Sequence, residues 1–443
     1  MKFIRSLYLQ QRLFLSLAVL VLLFVLAFSF GSLLGIAKVC FMVWLLLIFA
    51  DALLLYNTKK GIGGHRLCPD RLSNGDDNTI KIELKNHYSY AAHLDIIDEI
   101  PEQFQKRDFS LSKKLKSGEH ETISYKLRPA RRGEYSFGAL NVFVSTQLGF
   151  LSRRFRFSQD KSVPVYPSFI QMRRYELMAI SSKLTELGIK RMRRLGHNRE
   201  FEQIKEYVAG DDFRTINWKA TARRGGLMVN KYQDERSQQV YAVIDKGRTM
   251  KMPFEQMSLL DYAINASLVI SNIAIRKEDK AGLLTFQHKV QKLVPAAKRS
   301  NQMHQILEAL YAEKTAYKEA NYEALYVHVK RQIRQRSLLL LFTNFESLSS
   351  LERQLPYLRR LAAIHVLVVI FFKNTELYQL LHRPVNNIQD VYQKTVAEKF
   401  ALEKNAMVDT LQKHGIQSVL TTPKQLSVDT INKYLELKAR GAI

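Results

Sequence analysis

The chain opens on two apolar runs. From Leu13 to Phe30 the residues are almost wholly apolar, and from Ile36 to Tyr56 they are so again, interrupted by Lys38 and Asp51. Each run approaches the ~20 residues that a helix needs to cross a bilayer. Gly31 to Gly35 supplies a tight connection, so the pattern predicts a transmembrane helical hairpin over residues 1–60. A cleaved signal peptide fits less well: the first run is long, a second follows at once, and no small-x-small cleavage site separates them. The period then changes to two. Ile80, Ile82 and Leu84 alternate with Lys81, Glu83 and Lys85; Ile123, Tyr125 and Leu127 alternate likewise, as do Phe155 and Phe157 between Arg154, Arg156 and Ser158. Such alternation marks half-buried strands. With turn chemistry at Asn74-Gly75-Asp76-Asp77 and punctuation at Pro101 and Pro129, it predicts a small antiparallel β-sandwich over residues 61–167.

Helical spacing follows. Leu177, Ile180, Leu184 and Leu187 predict a helix from Ile170 to Arg194, the start of a linker and polar block over residues 168–237. From 238 to 443, apolar runs alternate with helical patterns. The strand candidates are Val240–Ile244, Gly282–Phe286, Leu338–Thr343, Ala363–Phe371 and Gln417–Thr421. Leu260 with Ile264 and Leu268, Ile306 with Leu310, and Leu355 with Leu358 mark helices between them, and Gln389–His414 and Pro423–Arg440 mark later ones. This alternation predicts an α/β domain with a parallel, doubly wound sheet covered on both faces.

Charge adds an orientation. Lys2, Arg5 and Arg12 precede the first apolar run, and Lys59, Lys60, Arg66 and Arg71 follow the second, whereas Lys38 stands alone near the turn. The positive-inside rule then puts both ends in the cytoplasm. Asp51 reads from sequence as an interfacial residue on a shifted helix boundary, with a functional intramembrane contact as the alternative. The 443 residues carry a formal net charge of +26. Such an excess favours an anionic neighbour, whether lipid surface, acidic protein or nucleic acid. The only cysteines, Cys40 and Cys68, indicate no disulfide framework. Arg128, Arg131 and Arg132 beside Gly133 read as a solvated turn rather than a phosphate site.

The polar block carries a more specific pattern. Arg199-Glu200-Phe201, Tyr207, Gly210-Asp211-Asp212, Arg214, Asn217-Trp218-Lys219 and Ala222-Arg223 form one set. Arg132-Gly133-Glu134-Tyr135-Ser136-Phe137-Gly138 and Gln147-Leu148-Gly149-Phe150 form an earlier one. Together they resemble the bacterial family called domain of unknown function 58. That resemblance implies a von Willebrand factor A-like α/β domain, a place in the bacterial inner membrane, and partnership with a MoxR-type AAA+ ATPase in assembling or activating other proteins. From the residues, two readings of the block stand equally. Trp218 fills a pocket while Arg214 and Arg223 pair with Asp211 or Asp212, or Asp211, Asp212, Arg214, Trp218, Lys219 and Arg223 form a docking surface, since Trp and Arg are favoured at interface hot spots.

Asp245 ends the first strand of the α/β domain. Followed by Gly247 and Thr249, it resembles the D-x-S-x-S metal loop of von Willebrand factor A domains, with Asn344 where that family commonly places a second carboxylate. Gly247 lacks a hydroxyl, Asn344 lacks a charge, and Lys246 and Arg248 add positive charge, whereas a divalent cation prefers anionic oxygens. The expectation is a degenerate site at Asp245, Thr249 and Asn344 without cofactor, magnesium or manganese being the alternative. No H-E-x-x-H, P-loop or G-x-G-x-x-G occurs. The sequence therefore predicts a membrane-anchored interaction protein and no enzyme; a metal-dependent hydrolase and a basic nucleic-acid-binding protein are the alternatives.

Overall fold

The computed structural model describes residues 6–442 except 59, 107–108, 159, 181–198, 210, 212, 235–236, 316, 382–383 and 385–386. The chain divides into two compact units, Met1–Tyr166 and Pro167–Ile443.

In the first unit, helices α1 (Gln11–Ser29) and α2 (Leu34–Tyr56) are joined by a 3-10 turn at Gly31–Leu33. Both are long and apolar enough to cross a membrane. The Trp44 indole donates to Ser16 Oγ at 2.9 Å, one polar tie between the two helices. Most of their apolar side chains are exposed, whereas Leu13 and Leu55, at the ends furthest from the turn, enter the core of the strands that follow.

Those strands form three sheets. One runs β1 (Leu7–Leu9), β10 (Leu151–Phe157), β9 (Leu140–Ser145), β5 (Ala92–Asp98) and β6 (Ser110–Leu115). The second runs β2 (Ile62–Leu67), β4 (Asn78–Asn86) and β7 (His120–Leu127). The third runs β3 (Leu72–Ser73), β11 (Lys161–Tyr166) and β8 (Gly133–Phe137). Pairing is antiparallel apart from β11 with β3. The period of two has its expected cause, for Ile80, Ile82 and Leu84 are fully buried while Lys81 and Lys85 are exposed. The core also holds one ion pair, Arg66 with Asp98 at 3.2 Å, and the Tyr125 hydroxyl donates to the same carboxylate. Gly133 takes φ +128°, beside exposed Arg128 and Arg131, which is a turn.

The second unit begins with α3 (Phe169–Ile180). The rest of the helix expected to Arg194, with Leu184 and Leu187, lies outside the described residues. Next comes an antiparallel ribbon of β12 (Arg199–Glu206) and β13 (Met228–Asp234), with a short helix α4 (Trp218–Arg224) between them. The sequence reading assigned no strand to residues 199–206; backbone pairing with β13 makes one.

The large sheet holds β14 (Gln239–Asp245), β17 (Lys280–Phe286), β18 (Val290–Ala297), β19 (Leu338–Phe342), β20 (Val366–Phe372) and β21 (Gln417–Thr421). The two-residue strands β15 (Pro253–Phe254) and β16 (Met257–Ser258) stand apart as a small hairpin. Numbered within the sheet, the spatial order is 3-2-1-4-5-6, parallel except for β18 at the edge. Strand β20 starts at Val366, because Ala363 and Ile364 complete the preceding helix.

Helices α5 (Leu259–Arg276), α6 (Gln302–Tyr311), α7 (Tyr322–Gln332), α8 (Leu348–Ile364), α9 (Thr375–Leu381), α10 (Ile388–Lys413) and α11 (Leu426–Ala439) complete the unit. α7, α8 and α10 cover one face of the sheet, where Tyr322, Leu351 and Met407 meet Tyr241, Leu339 and Val369. α5 packs on the other face, as its almost continuous burial requires. Its start is a capping box, Ser258 with Asp261, which satisfies two orphan amides.

Candidate functional site

β14 lies where the strand order reverses, between β17 and β19. Crevices outside the carboxyl ends of strands at such a point are where open α/β sheets bind ligands. Asp245 sits at that end, on the same face as Tyr241 and Val243 because strand side chains alternate. It is 2% exposed. Its Oδ1 accepts from the Gly247 amide at 2.7 Å. Its Oδ2 accepts from Thr343 Oγ1 at 2.7 Å and from the Tyr322 hydroxyl at 3.3 Å. Burial pushes the carboxyl up to about 6, while those three hydrogen bonds pull it down. Burial and then the neighbouring carboxylate push the Tyr322 hydroxyl well above its ordinary value, so it stays a donor.

The missing hydroxyl at position 247 has a steric cause. A Cβ there would lie 3.0 Å from Asp245 Oδ1 and 3.1 Å from the Ala320 nitrogen. Thr249 lies in the 3-10 turn Arg248–Lys251 and gives Asp245 none of its hydrogen bonds. Asn344 follows β19, and its Oδ1 accepts from Lys404 Nζ at 2.9 Å. The same ammonium reaches the Phe345 carbonyl at 2.5 Å. Burial pulls Lys404 down to about 8, with Glu346 acting against that.

These contacts answer whether a divalent ion fits. Both Asp245 oxygens are committed to protein donors, and the Asn344 oxygen already serves a cation. Among the described residues no group of three or more His, Cys, Asp or Glu is placed to hold a metal. The residues do not fit a metal centre. The charges differ from those the sequence pointed to, because Lys246 and Arg248 are not free. Lys246 is buried against Glu313 and Gln291, and Arg248 pairs with Glu346. The cation that matters is Lys404, brought in by α10. Tyr322, Thr343 and Lys404 escaped sequence reasoning, since Tyr322 and Thr343 lie 77 and 98 residues from Asp245 and no local pattern marks any of them.

At the polar block, the residues between β12 and β13 fold into a tip. Asn217 caps α4, its Oδ1 accepting from the Ala220 amide at 3.0 Å and its Nδ2 donating to Asn230 at 2.8 Å. The Thr221 hydroxyl accepts from the Met228 amide at 3.0 Å. Polar bonds therefore organise the tip and leave its apolar side chains outside. Trp218 is 70% exposed, Phe213 69% and Val208 62%, with Leu227 and Tyr207 alongside. Trp218 therefore lies on the surface, whereas the brace reading placed it in a pocket. Asp211 pairs with Lys205 at 2.7 Å and accepts from the Val208 amide at 3.0 Å, which holds its carboxyl below the ordinary range. Lys219, Arg223 and Arg224 are exposed along α4. Arg214 lies in the 3-10 turn Phe213–Thr215, and Asp212 lies outside the described residues. The tip brings Trp218, Lys219 and Arg223 onto one short helix; Asp245 ends β14, and Asn344 follows the end of its neighbour β19.

The chain is 25% identical over 207 residues to an uncharacterized protein, YeaD, of Bacillus subtilis (strain 168). That match covers 45% of this chain and 51% of the relative, so the chain spans about half of the relative's length. Among solved structures it is similar to proximal thread matrix protein 1 from the mussel byssus, at 10% identity and a TM-score of 0.26, over 46% of this chain and 47% of that one. It is also similar to the ASH/PapD-like domain of human CEP192, at 13% identity and a TM-score of 0.18, over 24% and 84%. Residues 203–379, which run from the ribbon through the Asp245 loop to α9, match the family described as protein of unknown function DUF58.

Proposed function

We propose that this chain is a membrane-anchored interaction protein of the bacterial inner membrane whose two units work in the cytoplasm. In this reading α1 and α2 cross the bilayer, and the α/β unit is von Willebrand factor A-like. The 3-10 turn at Gly31–Leu33 is then on the far side. The 3-10-hairpin geometry, the exposed apolar helices and the 3-2-1-4-5-6 order with an antiparallel third strand support it. The partner is a MoxR-type AAA+ ATPase, which the chain assists in assembling or activating other proteins. The chain itself turns over no substrate, takes no cofactor and binds no nucleic acid.

The observation that carries the proposal is the tip between β12 and β13. Exposed Trp218, Phe213 and Val208 on one segment, with Lys219, Arg223 and Arg224 along α4, are costly in water and suit an apolar partner surface with an acidic rim. The closed Asp245 pocket agrees with it, since it offers no open position to a substrate. The test is photo-cross-linking in native cells from a reactive residue at position 213. An ATPase captured by the intact tip and lost on Trp218→Ala supports the reading. Capture that is indifferent to Trp218 while the protein melts normally counts against it.

A further inference from the structure

We propose that the edge of the β-domain at which both apolar helices are rooted is a seat for the bilayer, and that Arg12 and Arg154 there bind anionic phospholipid headgroups. This rests on the reading that α1 and α2 cross a membrane, and it adds where the protein stops and the lipid begins.

The root of the hairpin is a built joint. Asp51, inside the apolar run of α2, is fully buried. Its carboxylate accepts from the Phe150 amide at 3.1 Å, the Leu151 amide at 2.9 Å and the Thr146 hydroxyl. The turn that supplies them contains Gln147-Leu148-Gly149-Phe150, a motif that the tip and the Asp245 loop leave unexplained. The same turn grips α1, for the Gln10 amide donates to the Phe150 carbonyl at 3.0 Å and Arg12 Nη1 to the Gln147 carbonyl at 3.3 Å. Gly149 takes φ +70°, and a Cβ on it would stand 3.2 Å from the Arg12 side chain. The end of α2 is closed too. Arg153 donates to the carbonyls of Leu55 and Thr58 at 2.8 and 2.9 Å, and the Tyr88 hydroxyl to that of Leu55 at 2.9 Å.

Length then sets the depth. From Leu34 to Ala50, the part of α2 that precedes the joint is about 25 Å long at 1.5 Å per residue. The hydrocarbon core of a bilayer is about 30 Å thick. No helix is left over as a spacer, so the edge holding the joint lies against the lipid. That edge is dressed for it. On β1, Leu9 is 55% exposed and Tyr8 is partly exposed, and the Arg154 guanidinium stacks over the Tyr8 ring at 5.4 Å. Tyrosine and arginine at one level are the usual residues of a membrane interface. Among the described residues no carboxylate pairs with Arg12 or Arg154, which leaves both cations for lipid phosphate.

The experiment uses the full chain, with Cys40→Ser and Cys68→Ser, carrying one nitroxide label. Position 9 lies on β1 and position 113 on β6, the opposite edges of one sheet. In nanodiscs containing phosphatidylglycerol, the label at 9 is expected to relax with oxygen and to escape a water-soluble nickel chelate, and the label at 113 to do the reverse. Binding of a fluorescent phosphatidylglycerol to the detergent-solubilised protein is expected to weaken about fivefold for each of Arg12→Gln and Arg154→Gln. A chain that inserts but leaves position 9 as open to the chelate as 113 overturns the seat. Lipid binding indifferent to both arginines overturns the headgroup assignment, as an acidic protein partner there would require. A chain that never inserts into nanodiscs overturns the membrane reading beneath it.

Discussion

At Asp245, burial opposes the charge and three hydrogen bonds favour it. Burial wins, since the folded carboxyl titrates near 6 rather than at 3.8. Between those values the folded state holds a proton that the unfolded state has lost, so stability falls as pH rises through this window. Above about pH 6 the cost is complete, on the order of 3 kcal/mol at 1.36 kcal/mol per pH unit. Asp245→Asn is expected to remove that decline and to melt no lower than the parent at pH 8, in denaturation curves taken from pH 4 to 8; a variant that keeps the decline speaks against this account. Lys404 has the opposite sign. Its folded value is depressed to about 8, so its contribution is present above pH 10.5 and is lost as pH falls towards 8. Lys404→Met removes the cost of that buried charge but leaves the Asn344 and Phe345 oxygens without their donor, so the variant's melting temperature is expected to gain on the parent's as pH falls from 10 to 7, and adding magnesium to the parent should scarcely raise its own. Trp218→Ala, at an exposed site, is expected to stay within about 0.5 kcal/mol of parent stability; a larger loss would return Trp218 to a structural role.

At the scale of elements, the α2 root and the 146–151 turn act as one piece. Asp51→Ala strips a buried amide, a half-buried amide and a buried hydroxyl of their acceptor, each worth up to about 1–3 kcal/mol when left unpaired. Cooperative urea unfolding of the detergent-solubilised protein, followed by Trp44 fluorescence, is expected to shift to clearly lower urea. An unchanged midpoint would mean that the joint carries no load. The tip behaves differently, because Asn217, Thr221 and Asp211 hold it with exposed or half-buried polar bonds, and an apolar partner can cover it without unfolding anything. Much of this was legible. Ile80, Ile82 and Leu84 gave their strand by alternation, and the runs Val240–Ile244, Gly282–Phe286 and Leu338–Thr343 gave theirs by buried apolarity. β18 was not, since Val290–Ala297 is half-buried at an edge and shows neither pattern cleanly. Nor was β12, whose partner strand lies beyond the whole tip.

For the whole molecule, the anchor makes a sharp demand. The intact chain should stay in the membrane pellet after a high-salt or alkaline wash, and the unit 167–443 expressed alone should be soluble; an intact chain released by salt would remove the anchor. A simple cut after residue 60 is a poorer test than the sequence suggests. It removes β1 and takes Leu13 and Leu55 out of the β-domain core, exposing apolar surface that itself drives aggregation.

By itself the sequence determined what depends on neighbours along the chain. The two apolar runs, the periods of two and of 3.6, the turn chemistry and the α/β alternation are local patterns, and each element obeys the burial of its own face. Only the tertiary structure decided what depends on who arrives from elsewhere. Trp218 ended outside because polar side chains fold the tip without it. Asp51 became a joint because a turn 95 to 100 residues later offers a hydroxyl and two amides. Asp245 accepts from Tyr322 and Thr343, and Asn344 from Lys404, because each donor is brought in from a distant element, and a hydrogen bond across such distances leaves no periodic trace in a sequence.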